Sequence, residues 1–313
     1  MWPADEIYAK LDPRTIVNAT NTPGNSGYLF IISQPGSYYL TTNLVGLGDK
    51  SGIKIAANNV TLDLNGFALQ GGSAGYAGIY IPGAQTNITV RNGTISDWQY
   101  FGVDSISSSS FNLVCERLNV CASWYGIAVG GAGVVRDCNC ESNYIDGISC
   151  FVGGIVSGCT AINNCTYGIL VYSGTVSGCT ANNNGNSGIY DKFGTVSGCN
   201  VYSNGISGIV VGDGNAVIGN TCIGNGTLLE GQAIFIVGSN NRVDDNHCMA
   251  SGYAGIQVAA GSGFINNIII KNSVFGSGAN NYIIPVGQIV GPLITNTVSG
   301  IITNSNPWAN FSF

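Results

Sequence analysis

Two consecutive stretches, GILVYSGTVSGCTANNNGNS (168–187) and GIYDKFGTVSGCNVYSNGIS (188–207), align position for position over twenty residues. Each opens on Gly and a short apolar run, passes through Thr-Val-Ser-Gly-Cys, and closes on an Asn-rich turn. Alternation in Gly168-Ile169-Leu170-Val171 puts Ile169 and Val171 on one face of a strand and Leu170 on the other. A unit this short cannot bury a core alone, so its copies must stack and share one.

The pattern extends in both directions. The Gly-aliphatic step recurs at Gly78-Ile79, Gly102-Val103, Gly126-Ile127, Gly147-Ile148 and Gly208-Ile209, and continues at Ala233-Ile234 and Gly255-Ile256. A second column runs through Cys138, Cys159, Cys179 and Cys199 and continues at Asn220 and Asn246, while Asn143, Asn164, Asn184, Asn204 and Asn225 make a third. Asn tolerates the left-handed backbone of a tight turn, and stacked amides hydrogen-bond from coil to coil, so the third column is an asparagine ladder. These columns predict an all-β chain, a right-handed parallel β-helix running over 38–278 as one domain. Ala4, Ile7, Tyr8 and Leu11 at helical spacing predict a short helical cap within 1–37, and the Pro-interrupted segment 279–313 reads as a non-repeating tail that caps or packs.

The cysteines are expected as free, buried thiols. Side chains in register on neighbouring coils keep their Cβ atoms near ~4.8 Å, longer than the ~3.8 Å a relaxed disulfide prefers. Ligands strung along an axis do not converge on a tetrahedron, so neither a metal nor any other cofactor is expected. Charged residues make up 8% of the chain, and its net charge is -6 with no basic cluster, which argues against nucleic acid as a partner. No apolar run reaches the roughly twenty residues of a membrane span. The start MWPADEIY lacks a signal peptide's charged-then-apolar order, so the reading of an extracellular or surface protein takes Met1 as the start of an already exported chain.

Coil length, asparagine ladder and aliphatic columns over Tyr38 to Ser273 resemble the pectin-lyase-like β-helices, which include pectate lyases, polygalacturonases and phage tailspikes. Pro35-Gly36-Ser37-Tyr38-Tyr39-Leu40, the stretch from Val60 to Leu69, and the ending Pro307-Trp308-Ala309-Asn310-Phe311-Ser312-Phe313 resemble uncharacterised exported bacterial β-helix proteins. The resemblance implies polysaccharide as the ligand class, although a fold alone does not carry a function. Of the polygalacturonase motifs the chain offers only Asp244-Asp245, then His247, with Lys271 about a coil later; Glu230 is a further acid. A hydrolase needs two carboxyl groups roughly 5 to 9.5 Å apart, and a solvated surface turn is the simpler reading of these residues. The charges Asp63, Arg91, Glu116, Arg117, Arg136 and Asp137 read as a salt-bridge stack before a lyase site.

Other features point to binding. Ser157, Ser177 and Ser197, each followed by Gly, make a small-residue floor that suits a glycan, or simply mark a bend that demands Gly. The aromatics Trp98, Tyr100, Trp124, Tyr125 and Tyr144 can stack on sugar faces or cover turns. Asp191 falls in the inward column of Val171 and Val211, and is expected to swing out or to find a partner such as Lys192 or a backbone N–H. Leu170, Tyr190, Val210 and Phe235 form an outward apolar stripe, to be covered by the tail from Tyr282 to Ile302 or by a second copy in a homo-oligomer. Polysaccharide binding leads this reading. A self-associating structural protein is the alternative, and a lyase or glycoside hydrolase the third.

Overall fold

The computed structural model describes residues 13–72, 74–106, 111–228, 231–261, 263–295 and 304–313. Every inter-strand ladder within it is parallel, and one sheet holds twelve strands, one per coil, from Tyr28–Ile32 to Asn280–Ile283. Parallel strands in successive coils need a crossover connection, which by the general rule for such connections is right-handed, and the coils enclose one shared core. Two further faces complete each coil. One runs through Gly36–Tyr39, Val60–Asp63, Gly174–Ser177 and Arg242–Asp244, and the other through Ala68–Gln70, Thr180–Asn182 and His247–Met249. They join because Thr86–Ser96 and Phe111–Cys121 are each eleven residues long and pair on both faces. The cross-section is therefore a triangle with three corners.

The Gly-aliphatic column lies in the twelve-stranded sheet as expected. Ile53, Ile79, Val103, Ile127, Ile148, Ile169, Ile189, Ile209, Ile234 and Ile256 pair in register, all pointing inward and fully buried. The asparagine ladder is complete at the corner between the third face and the twelve-stranded sheet. Asn184 accepts from the backbone N–H and side-chain amide of Asn164 at 3.1 and 3.0 Å, and donates to the carbonyls of Ala161 and the Asn204 side chain. Cys138, Cys159, Cys179 and Cys199 fill the corner between the second and third faces as free, buried thiols. A second ladder, Asn220, Asn246, Asn272 and Asn310, continues that same corner. A third, Asn215 to Asn241 to Asn267, occupies the remaining corner.

Removing one rung orphans its neighbour. Asn184→Ala is expected to lower stability by about 2–4 kcal/mol, because the buried amide donors of Asn164 lose their acceptor. A urea midpoint equal to that of the unaltered protein would show that the ladder is decorative.

The ends differ from expectation. Coiling starts before residue 38, since Thr15–Ile16 already pairs with Tyr38–Tyr39 and Tyr28–Ile32 with Ser51–Ile55. The helix expected at Pro3 to Leu11 lies outside the described residues. The described residues of the tail beyond 278 do not fold back over the outward stripe. Asn280–Ile283 instead adds a strand after Ala254–Val258, Ile289–Val290 pairs with Ile268–Ile269, and Asn310–Ser312 pairs with Ser273–Phe275. Pro285, Pro292 and Pro307 fall between these strands, where a missing N–H breaks no ladder. The stripe needs no such lid: Leu170 and Val210 are 8% exposed and Tyr190 and Phe235 half-buried, because large side chains flank them on both sides, among them Tyr167 and Tyr172 beside Tyr190.

Asp191 does not swing out, and Lys192 does not become its partner but lies over the Phe193 ring. It pairs in register between Val171 and Val211, is 0% exposed, and neither carboxyl oxygen makes a hydrogen bond of normal geometry. Burial pushes its pKa up to about 7, against weak opposition from the Phe193 N–H. Gly194 supplies the room, since a Cβ there would lie 2.6 Å from Asp191 Oδ2.

Candidate functional site

The corner between the third face and the twelve-stranded sheet carries the most open aromatic surface of the N-terminal coils. Tyr76, Tyr100 and Trp124 occupy equivalent positions on three successive coils, linked by Tyr100 N–H to Tyr76 carbonyl and Tyr125 N–H to Tyr100 carbonyl bonds. Their rings touch, at 5.4 Å between Tyr76 and Tyr100 and 4.8 Å edge-to-face between Tyr100 and Trp124. Beside them a cleft of about 390 Å³ is lined by Asp97, Trp98, Gln99, Ala122, Trp124 and Tyr144 over a floor of Gly71 and Gly72. The floor is bare backbone by necessity, because a Cβ on Gly71 would sit 2.0 Å from the Asp97 carbonyl oxygen.

Trp124 is 43% and Tyr144 62% exposed, so both rings are open to a ligand. Asp97 adopts the left-handed conformation (φ 63°) that turns the chain out of the third face. Its Oδ2 accepts from the Ser96 hydroxyl at 2.8 Å and the Gln70 amide at 3.3 Å, which fixes the carboxylate at the cleft rim. Exposed apolar rings beside fixed carboxylate and amide groups are what a sugar requires, with its apolar C–H face and its fringe of hydroxyls.

Of the five aromatics expected to bind sugar, Trp124 and Tyr144 line this cleft as exposed rings and Tyr100 supports Trp124. Tyr125 turns the other way and stacks on Phe101 at 5.1 Å. Trp98 forms the cleft's inner wall but is 1% exposed, its indole driven into the core and its N–H donated to the Leu69 carbonyl at 3.1 Å. It is an anchor and not a platform. Asp97 and Gln99 were not apparent as site residues from the sequence; their signal was the unbroken run Asp97-Trp98-Gln99-Tyr100 at a coil turn.

Ser157, Ser177 and Ser197 lie at a different corner. They are rungs of one outward column that reads Asp63, Arg91, Glu116, Arg136, Ser157, Ser177, Ser197, Ile218 and Asp244. Gly158, Gly178 and Gly198 beside them take φ of 59–60°, as do Asp137 and Asp245 at 54° and 57°, so the bend itself explains the glycines. The charged rungs neutralise one another. Asp63 takes Arg91 at 3.1 Å and Arg14 at 3.7 Å, and buried Glu116 takes Arg91, Arg117 and Arg136. Burial alone would raise the Glu116 pKa, but the hydrogen bonds and charges of Arg136 and Arg117 hold it below the usual carboxylate range.

The weak catalytic candidates do not converge. Buried Asp244 is ion-paired to Arg242 and Lys271, Asp245 forms the exposed bend, and His247 lies on the third face against Phe275 at 5.4 Å. Glu230 lies outside the described residues. Among the described residues no group of three or more His, Cys, Asp or Glu side chains is placed to hold a metal, and no helix is long and apolar enough to cross a membrane.

No protein-family model matches the sequence, and no curated protein sequence does. Solved structures do match the fold. The A-module of Azotobacter vinelandii mannuronan C-5 epimerase AlgE6 superposes with a TM-score of 0.63 at 15% identity, over 89% of this chain and 90% of that one. The AlgE4 A-module from the same organism gives 0.55 at 14%, over 82% and 91%. The Dettilon tailspike protein gives 0.57 at 14%, over 91% of this chain and 60% of the tailspike. At these identities the likeness is one of fold, the parallel β-helix.

Proposed function

We propose that this chain is an exported polysaccharide-binding protein whose ligand lies along the solenoid axis against Trp124 and Tyr144. The cleft at the corner between the third face and the twelve-stranded sheet carries the proposal, because exposed rings and fixed hydrogen-bonding groups meet there in a concave surface. Aromatic positions repeat once per coil, a spacing of ~4.8 Å that suits consecutive units of an extended glycan. Structural neighbours named as mannuronan C-5 epimerases lend the ligand class support. Nine of the eleven thiols are buried, which would shield them from an oxidising solvent.

The test is a tryptophan-fluorescence titration across a panel of glycan oligomers. At least one glycan is expected to shift the emission, and Trp124→Ala to weaken its binding at least ~10-fold, as the loss of a stacked ring of ~1.4 kcal/mol or more implies. Failure of every glycan to bind would overturn the proposal.

Self-association is favoured by a separate observation. At the corner between the twelve-stranded sheet and the second face, Val152, Ile155, Tyr172 and Phe193 are 59%, 45%, 39% and 45% exposed on adjoining coils. Sedimentation of the intact protein as a monomer at high concentration would remove that reading.

A further inference from the structure

We infer that the Trp124–Tyr144 cleft selects a non-anionic glycan, neutral or amino-bearing, and rejects a uronate; this rests on the cleft being the glycan site. The charge around it is negative. Asp97 is exposed at the rim with Oδ2 held by Ser96 and Gln70, which leaves Oδ1 directed at incoming hydroxyl or ammonium donors. Exposed Glu141 lies close by. It pairs in register with Cys121, and Asp97 and Glu141 together help to raise the thiol pKa of Cys121, though burial raises it more.

Among the described residues no lysine, arginine or histidine lines the cleft. Lys50 heads the aromatic column two coils before Asp97 and three before Trp124, roughly 10 and 14 Å along the axis at ~4.8 Å per coil, against a screening length of ~8 Å in physiological salt. Arg91, Arg117 and Arg136 sit at the corner between the second and third faces and are committed to Asp63 and Glu116, and Lys54 lies over the Tyr28 ring on the twelve-stranded sheet. A uronate carboxylate brought against Trp124 would therefore meet Asp97 with no cation to offset it. A sugar hydroxyl or ammonium would find an acceptor already in place.

The experiment titrates the intact chain with hexamers matched in length, a neutral gluco- or mannohexaose, glucosamine hexamer and hexamannuronate, and repeats the series with Asp97→Asn. Binding of a neutral or amino hexamer at least 10-fold tighter than the uronate, with the gap narrowing in Asp97→Asn and in high salt, is the expected result. Equal or tighter binding of hexamannuronate that is lost in Trp124→Ala would overturn the charge selection while leaving the cleft as the glycan site. A preference for neutral sugar that is unchanged by Asp97→Asn and by salt would overturn Asp97 as its cause. Binding unaffected by Trp124→Ala would overturn the site itself.

Discussion

Asp191→Val is expected to stabilise the protein by about 4 kcal/mol above pH 8, the free energy of a shift from the ordinary 3.8 to about 7. The folded state holds the Asp191 proton more tightly than the unfolded chain does. Its protonated form is therefore tolerated below pH 4, stability falls as pH climbs from about 4 to 7, and the full penalty is present above. Valine matches Val171 and Val211 on the flanking coils, so the substitution continues an existing apolar column. The gain should shrink towards pH 4, where only a neutral carboxyl remains to be buried unpaired. The groups around Asp191 leave the assignment clean: Tyr190 is pushed above its ordinary value, mostly by burial, Lys192 lies outward over the Phe193 ring, and Cys150, two coils back, is raised to about 12. Asp104 is also raised, chiefly by burial, so the unaltered protein keeps some slope from elsewhere. The difference between Asp191→Val and the parent at each pH isolates the one carboxyl, and Asp191→Asn should flatten the same window without the full gain. Urea midpoints that differ equally at pH 4.5 and pH 8.5 would show that folding does not raise the Asp191 pKa.

What could be read in the sequence was whatever repeats. The Gly-aliphatic column, the cysteine column passing into Asn220 and Asn246, and the ladder from Asn143 to Asn225 all recur at nearly constant step, and each stands in the structure where its register put it. The third ladder escaped notice because it has only three asparagine rungs. Its signal was present in Asn215-Ala216-Val217, Asn241-Arg242-Val243 and Asn267-Ile268-Ile269, spaced by 26 residues. Less legible were features set by one coil's neighbours. From sequence, Asp191 is expected to leave the core or find a partner because a lone buried carboxylate is costly, yet a strand position fixed by two flanking coils leaves the side chain no route out, and Gly194 makes the pocket it occupies. The solenoid's ends were misplaced for a related reason. Terminal coils carry atypical residues, so Thr15–Ile16 and Asn280–Ile283 pair by backbone without displaying the repeat.

Trp98 is the clearest case of chemistry hidden by composition, and its removal is the other large effect expected. In sequence it stands beside Tyr100 and shares their aromatic character, so it is naturally grouped with rings that stack on sugars. In the structure three glycines surround it: a Cβ on Gly75 would meet the indole at 2.7 Å, on Gly78 at 2.8 Å and on Gly52 at 3.1 Å. Those glycines have negative φ, so turn geometry does not require them; the indole, with the backbone of the adjoining coils and Ile95, leaves no volume for a Cβ at any of them. Trp98→Ala should cost about 3–5 kcal/mol, as truncation of a large buried aromatic does, and it would also release the Leu69 carbonyl from its hydrogen bond. Trp124→Ala, on an exposed ring, should leave the urea midpoint nearly unchanged while weakening glycan binding. Paired measurement of stability and binding on the two variants separates anchor from platform. If Trp98→Ala unfolds at the same denaturant concentration as the parent, the indole is not part of the core; if Trp124→Ala loses as much stability as Trp98→Ala, its ring is structural and the cleft has lost its platform.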